Sequence, residues 1–224
     1  MPKKFIPHAI VFDFDGILVD SEPVHYSALT EILKSEFSIS YSWEQYQAQA
    51  LGLEDFEVFE KLLPHLDETE IQKAVQKKAN AFERLVPLRS RFQPGVPELL
   101  NRLDNLKIPF AIASGALKRD IKAVLKSLGG ETLLNRFKTI ASADEVEHSK
   151  PDPETYLLAC SRMNWVPSSC LSFEDTTFGI RAAKGAGLIC VGVTHSMPRS
   201  KLEPLADKVI DTFVGLDPHN IFET

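Results

Sequence analysis

Ala9-Ile10-Val11-Phe12-Asp13-Phe14-Asp15-Gly16 is the stretch that decides the fold. Four apolar residues in succession break on two aspartates and a glycine, which reads as a strand buried on both faces and ending in a polar turn. Comparable runs recur at Phe110 to Ala113, Phe137 to Ala141, Leu171 to Phe173 and Leu188 to Val193. Segments with the apolar spacing of helices separate most of them. Leu99, Leu100, Leu103 and Leu106 form one stripe, and Leu117, Ile121, Val124, Leu125 and Leu128 form another that Gly129-Gly130 should stop. Strands alternating with helices predict an α/β fold built on a parallel sheet covered on both faces.

Between the first run and the next lie about ninety residues without a comparable strand, far more than a simple crossover uses. Helical spacing fills them. Ser21-Glu22-Pro23 opens a helix carrying Val24, Ala28, Leu29, Ile32 and Leu33, and Phe56, Phe59, Leu62 and Leu63 mark a second. Asp67 followed by Glu70 is a capping-box start for a third, through Ile71, Val75, Phe82 and Leu85. An all-helical domain inserted between Asp20 and the Phe92-Gln93-Pro94-Gly95 turn is therefore expected, joined to the core by two segments that make a hinge. The Lys73, Lys77, Lys78 cluster reads as a solvated face of its third helix.

Composition narrows the function. The 224 residues carry a net charge of −6, which argues against nucleic-acid binding through an overall positive field. With 44% hydrophobic and 25% charged residues the chain can bury a full core, so disordered and disulfide-scaffold classes drop out. Cys160, Cys170 and Cys190 are odd in number and lie in or beside apolar segments, which predicts reduced, buried thiols and a cytoplasmic location. The opening Met1-Pro2-Lys3-Lys4 resembles a signal n-region, but the apolar run after it is too short for a signal peptide. No stretch approaches the roughly 20 apolar residues of a membrane span.

Ligand sites in open α/β sheets lie beyond the carboxyl ends of the strands. There the chain places Asp13-Phe14-Asp15-Gly16, Ser114-Gly115 and Glu174-Asp175-Thr176, while Lys150-Pro151-Asp152-Pro153 precedes a helix. Carboxylates crowded on one side repel and need a cation, and hard oxygen ligands without His or Cys point to magnesium. Magnesium beside a single lysine suits a phosphoryl group. With no Walker sequence present, the nucleophile has to come from the carboxylates, through an aspartyl-phosphate.

Four motifs stand in order: Asp13-Phe14-Asp15-Gly16-Ile17-Leu18-Val19-Asp20-Ser21-Glu22-Pro23, Ser114-Gly115, Lys150-Pro151-Asp152-Pro153, and Phe173-Glu174-Asp175-Thr176 with Gly179-Ile180. On these the sequence resembles the haloacid dehalogenase (HAD) superfamily, close to its β-phosphoglucomutase-like phosphatases, over nearly the whole chain. The resemblance implies a Rossmann-like core, residues 1–20 and 93–224, with a helical-bundle cap at 21–92. It implies that Asp13 attacks phosphorus and that Asp15 protonates the leaving oxygen and then activates water. Mg2+ would be held by Asp13, the Asp15 carbonyl, Asp175 and, directly or through water, Glu174. Ser114, Gly115 and Lys150 would bind the phosphoryl oxygens, and Lys150 would offset the charge on Asp13. His25 is a possible cap contact.

The expected activity is Mg2+-dependent hydrolysis of a small phosphorylated metabolite, a sugar or polyol monophosphate, by a monomer without nucleic-acid or membrane partners. The alternative is a hexose-phosphate mutase of the β-phosphoglucomutase type, and a non-catalytic phosphate-binding module ranks third because Asp13 and Asp15 are both present. A mutase needs a cap cation for the distal phosphate. The chain has no Lys or Arg between Lys34 and Lys61, and where sugar-phosphate mutases usually carry an Arg it reads Gly52-Leu53-Glu54-Asp55. Lys118, Arg119 or a later cap cation would have to substitute. Ala116-Leu117 is a second departure, since relatives often place polar residues there.

Overall fold

The computed structural model describes residues 7–51, 53 and 55–222, with no side-chain description for residues 87–89. In chain order the elements are β1 (Ala9–Phe12), β2 (Val19–Asp20), α1 (Glu22–Phe37), α2 (Trp43–Gln49), α3 (Asp55–Leu62), α4 (Glu68–Arg89), β3 (Arg91–Phe92), α5 (Val96–Leu106), β4 (Phe110–Ala113), α6 (Lys118–Leu134), β5 (Ile140–Ala141), α7 (Glu154–Arg162), β6 (Cys170–Glu174), α8 (Thr177–Gly185), β7 (Ile189–Val193), α9 (Arg199–Leu202) and β8 (Lys208–Ile210). The main sheet has the order β5-β4-β1-β6-β7-β8, all parallel, so β1 lies at its centre. This is the α/β architecture, built on a parallel sheet, that the sequence predicts.

All four β1 side chains are fully buried, and the period of two sends them to two different cores. Phe12 stacks on Phe173 of β6 at 5.5 Å and meets Phe110 of β4 edge-on at 6.3 Å, while Phe213 closes on Phe173 at 5.2 Å. Ala9 and Val11 pack with Tyr156, Cys160, Ile180 and Ala183 of α7 and α8. Each buried aromatic contributes roughly 1.5–3 kcal/mol of transfer free energy, so the aromatic row fixes β4, β1 and β6 as neighbours. The three cysteines are buried thiols. Among the described residues no helix is long and apolar enough to cross a membrane.

The chain divides into two compact units, residues 1–20 with 91–224, and residues 21–90. Arg91 and Phe92, grouped with the insert on sequence, belong to the first unit because they pair antiparallel with Asp20 and Val19. The second unit is helical. It gains a helix the sequence reading lacks, α2, which buries Tyr46 alone yet starts on a Ser42–Gln45 capping box. β8 is likewise new, three residues at the sheet edge. Gly129-Gly130 stops the helix as read: both glycines leave helical geometry, so α6 is two helical stretches, the second running on to Leu134. The run from Phe137 yields a strand only at Ile140–Ala141, because Phe137 still belongs to the turn after α6, its N–H donating to Leu134 O at 3.3 Å.

One assignment is corrected within the helical unit. Lys73 and Lys77 lie on the solvated face of α4, but Lys78 is only 3% exposed. Position 78 falls on the stripe of Ile71, Ala74 and Phe82, and its ammonium is held by Asp55 and by His25 Nδ1 at 2.9 Å. The α4 capping box forms as read, Asp67 Oδ1 accepting from Glu70 N–H at 2.8 Å and Glu70 Oε2 accepting from Asp67 N–H at 3.0 Å. Asp67→Ala should therefore lower stability by about 1 kcal/mol, and Asp67→Asn should retain most of it. Urea midpoints followed by circular dichroism check this, and equal midpoints for both variants would remove the cap's contribution.

Candidate active site

β1 delivers Asp13 to the carboxyl edge of the sheet, where its backbone N–H donates to Phe173 O at 3.1 Å. The next residues fold back in a tight turn: Gly16 N–H donates to Val19 O at 2.8 Å, and Leu18 N–H to Phe14 O at 2.9 Å. Gly16 has φ 77°, and a Cβ there would fall 1.9 Å from Asp175 Oδ2, so this turn requires glycine for both its conformation and its close approach. Asp15 sits within the turn, bridged to Val19 and half-buried.

From β6 next door come Glu174 and Asp175, each 1% exposed, and Asp13 itself is 7% exposed. One carboxylate oxygen from each of the three residues lies within 4.8 Å of the others. Lys150 spans the cluster. Its Nζ donates to Asp13 Oδ1 at 2.6 Å, to Glu174 Oε1 at 2.6 Å and to the Ala113 carbonyl at 3.0 Å. Ser114 follows Ala113 at the end of β4. It is buried, and its Oγ accepts from Ala116 N–H at 3.0 Å, which leaves the hydroxyl proton to be donated. Gly115 beside it is exposed.

Burial dominates the electrostatics. It pushes Asp13 up to about 7 against the pull of Lys150, with Glu174 and Asp15 raising it further. Burial also lifts Asp175 well above the usual carboxylate range, helped by Asp13 and Glu174 and opposed by Ser196. For Lys150, burial works against the charge, but Asp13 and Glu174 outweigh it and hold the ammonium protonated. One ammonium does not neutralise three carboxylates, and Asp175 Oδ1 is buried without a hydrogen-bond partner. An all-oxygen set with a vacant lone pair fits a hard divalent cation.

His25 lies in the other unit, its ring stacked on Phe82 at 4.3 Å and its Nδ1 against Lys78. Of the acidic cap loop, Gly52 and Glu54 lie outside the described residues. Lys118, named as a substitute cation, donates to Glu145 at 2.6 Å, and Arg119 lies 3.5 Å from Asp120.

Three groups enter the site that the motifs do not contain. Tyr156, fully buried on α7, donates to Glu174 Oε1 at 2.5 Å, and Lys150 Nζ sits 5.0 Å above its ring. After β7, His195 Nδ1 lies 2.6 Å from Gly16 O, and Ser196 donates to Asp175 Oδ2. The rule that ligand sites follow strand ends applies equally to Thr194-His195-Ser196, so the Leu188 to Val193 run held the signal for the last two. Gly179 of α8 has a role too: a Cβ there would fall 1.9 Å from Glu174 Oε2, so the helix can pass the carboxylate only as glycine.

Residues 10–193 match the family model of haloacid dehalogenase-like hydrolases. Among relatives, the chain is 31% identical to the phosphorylated carbohydrates phosphatase of Thermotoga maritima, covering 86% of this chain and 88% of that one. It is 32% identical to the fructose-1-phosphate phosphatase YqaB of Escherichia coli K12, over 82% and 95% of the two chains. A CbbY variant from Rhodobacter sphaeroides, solved with xylulose-1,5-bisphosphate, superposes with a TM-score of 0.81 at 25% identity, over 94% and 96%.

Two expectations follow from this geometry. Gly179→Ala should displace Glu174 and reduce hydrolysis of p-nitrophenyl phosphate about 100-fold, as a misplacement of about 1 Å can; wild-type turnover in that variant would show that Glu174 is free to move. Glu145 accepts from Arg162, Lys118 and Ser142, and these bonds, Arg162 first, hold it down to about 2 from its ordinary 4.5. The depressed value means the clamp stabilises fully above about pH 4.5 and is lost as pH falls toward 2. The difference in urea midpoint between wild type and Glu145→Gln should be constant from about pH 6 to 8 and shrink below about pH 4, whereas a pH-independent difference would exclude an ionic clamp.

Proposed function

Because this chain belongs to the haloacid dehalogenase-like hydrolases, as a phosphatase of their β-phosphoglucomutase-like branch, we propose that it hydrolyses a sugar or polyol monophosphate in a Mg2+-dependent reaction through phospho-Asp13. The observation that carries this reading is the cluster of Asp13, Glu174 and Asp175 around Lys150, three buried carboxylates with one half-buried cation. Asp13 ends the central strand with Lys150 on one oxygen, so the ammonium both orients the carboxylate and favours its ionised, nucleophilic form.

An Asp13 oxygen forms the bond to phosphorus as the ester oxygen leaves, and Asp15 gives that oxygen a proton. Asp15 then takes a proton from water, whose oxygen attacks phosphorus and releases phosphate from Asp13. Ser114 and Lys150 donate to the phosphoryl oxygens, and the exposed Gly115 leaves room for the group to approach. Magnesium, when bound by Asp13, Asp175, Glu174 and the Asp15 carbonyl, supplies positive charge against that of the phosphoryl oxygens.

Hydrolysis is favoured over mutation of a bisphosphate by charge. Lys118 is held by Glu145 and the buried cap cation Lys78 by Asp55, so each ammonium already has an acidic partner. The names of the Thermotoga and Escherichia relatives support a phosphorylated carbohydrate as substrate class.

The test is phosphate release from a panel of sugar, polyol and nucleotide monophosphates, with magnesium or chelator, accompanied by phosphorus NMR. Release should be confined to a few sugar or polyol esters, vanish with chelator, and fall by at least about 10⁴-fold in Asp13→Asn while circular dichroism stays unchanged. Turnover retained in that variant would exclude the aspartyl-phosphate. Isomerisation of a hexose monophosphate primed with bisphosphate, without release, would make the protein a mutase.

A further inference from the structure

We propose that Ser196 is a positioning residue that restricts Asp175 to one open oxygen and thereby sets the site's preference for a small divalent cation over a larger one. The inference rests on the assignment of Asp13, Glu174 and Asp175 as the cation site. The Ser196 hydroxyl donates to Asp175 Oδ2, whereas Oδ1 of the same carboxylate is buried and without a partner. One hydrogen bond thus divides the carboxylate into a committed oxygen and an available one.

The group that makes this division is itself held. Gly16 O accepts from His195 Nδ1–H at 2.6 Å, since a carbonyl only accepts, and the His195 ring rests edge-on against Phe213 at 5.6 Å. Thr194 N–H donates to Ile210 O at 3.1 Å, and its hydroxyl donates to Asp211 at 2.8 Å. Arg199 donates to the same Asp211 oxygen at 2.8 Å. A Cβ on Gly16 would come within 1.9 Å of Asp175 Oδ2 and 3.0 Å of Ser196 Oγ, so the nucleophile's turn, the carboxylate and the hydroxyl form one packed contact. The segment after β7 therefore ties the Asp13–Gly16 turn to Asp175, and neither can shift without the other.

The consequence is one of coordination. A small cation such as magnesium demands near-octahedral geometry and takes one oxygen from each carboxylate, whereas calcium accepts six to eight ligands and readily takes both oxygens. With Oδ2 held by Ser196, Asp175 offers the first arrangement and withholds the second. Removing the hydroxyl frees Oδ2, costing magnesium an oriented ligand and giving calcium a chelating one.

The experiment is calorimetric titration of the chelator-treated, full-length protein with MgCl2 and with CaCl2, for wild type, Ser196→Ala, Ser196→Cys and Ser196→Thr. The magnesium Kd should rise about 10- to 100-fold in the Ala and Cys variants, the range typical of outer-shell partners of metal ligands. Calcium should weaken less or tighten, and Thr should restore the wild-type ratio. A hydroxyl that only stabilises the fold would lower the metal-free melting temperature and leave both constants unchanged, and that result would overturn the proposal. Should wild type bind neither ion, the cation assignment of the triad falls first and this inference with it. Should wild type bind magnesium and Ser196→Ala or Ser196→Cys bind it equally, only the role of Ser196 fails.

Discussion

Lys150 in contact with Asp13 and Glu174 is the interaction on which the rest depends. Carboxylates as close as those of Asp13, Glu174 and Asp175 repel by roughly 3–4 kcal/mol per pair at an effective dielectric near 20. That is a large share of the roughly 5–15 kcal/mol that separates a folded domain from its unfolded chain. Burial adds a desolvation cost to each charge, and its effect is visible in the raised Asp13 and Asp175. The ammonium offsets part of this and is held in turn by the Ala113 carbonyl at the end of β4. The site is thus electrostatically incomplete as protein alone, which is the condition under which a hard cation is bound rather than excluded.

Such a cluster has to be fixed by structure that is stable without it. The aromatic row of Phe110, Phe12, Phe173 and Phe213 does this for the strands, since it makes β1, β4 and β6 adjacent and in register. Their carboxyl ends then carry Asp13, Ser114 and Glu174 into one place. A layer of neutral groups governs the finer geometry. Tyr156 and Ser196 each donate to one acid, and Gly16 and Gly179 are glycine because a carboxylate occupies the space of their Cβ atoms. The neutral donors stabilise the carboxylates without adding positive charge to the site, which a further lysine would do.

The charge pattern separates the site from its surroundings. Lys118, Arg162 and Ser142 all converge on Glu145, and Lys78 is paired within the helical unit. Cations that look available in the sequence are consumed by neighbours distant in the chain. This is why the sequence count of basic residues overstates what is left to recognise a second phosphate.

How much could be read beforehand follows the range of the forces involved. The strands of the core were legible because a run buried on both faces must be continuously apolar, and the capping box at Asp67 because its partners lie three residues apart. α2, β8 and the β2–β3 pair were not, since two to seven residues with little buried surface carry almost no periodic signal. The burial of Lys78 was hidden because one polar residue in an apolar stripe reads as solvated until Asp55 and His25 are placed beside it. In the same way the acids and the serine of the site stand out as polar breaks after apolar runs, and Lys150 as the residue before a Pro-marked helix start. Ser196 also follows such a run, but its partner Asp175 lies 21 residues away, and Tyr156 does not stand out at all, because its role arises from a hydrogen bond spanning 18 residues. The amino-acid sequence by itself determined the α/β class, the helical insertion and the polar residue types at the strand ends, all of which depend on local pattern. Only the tertiary structure decided which oxygen of each carboxylate is committed and which cations are spent, because those are contacts between segments that the chain keeps far apart until it folds.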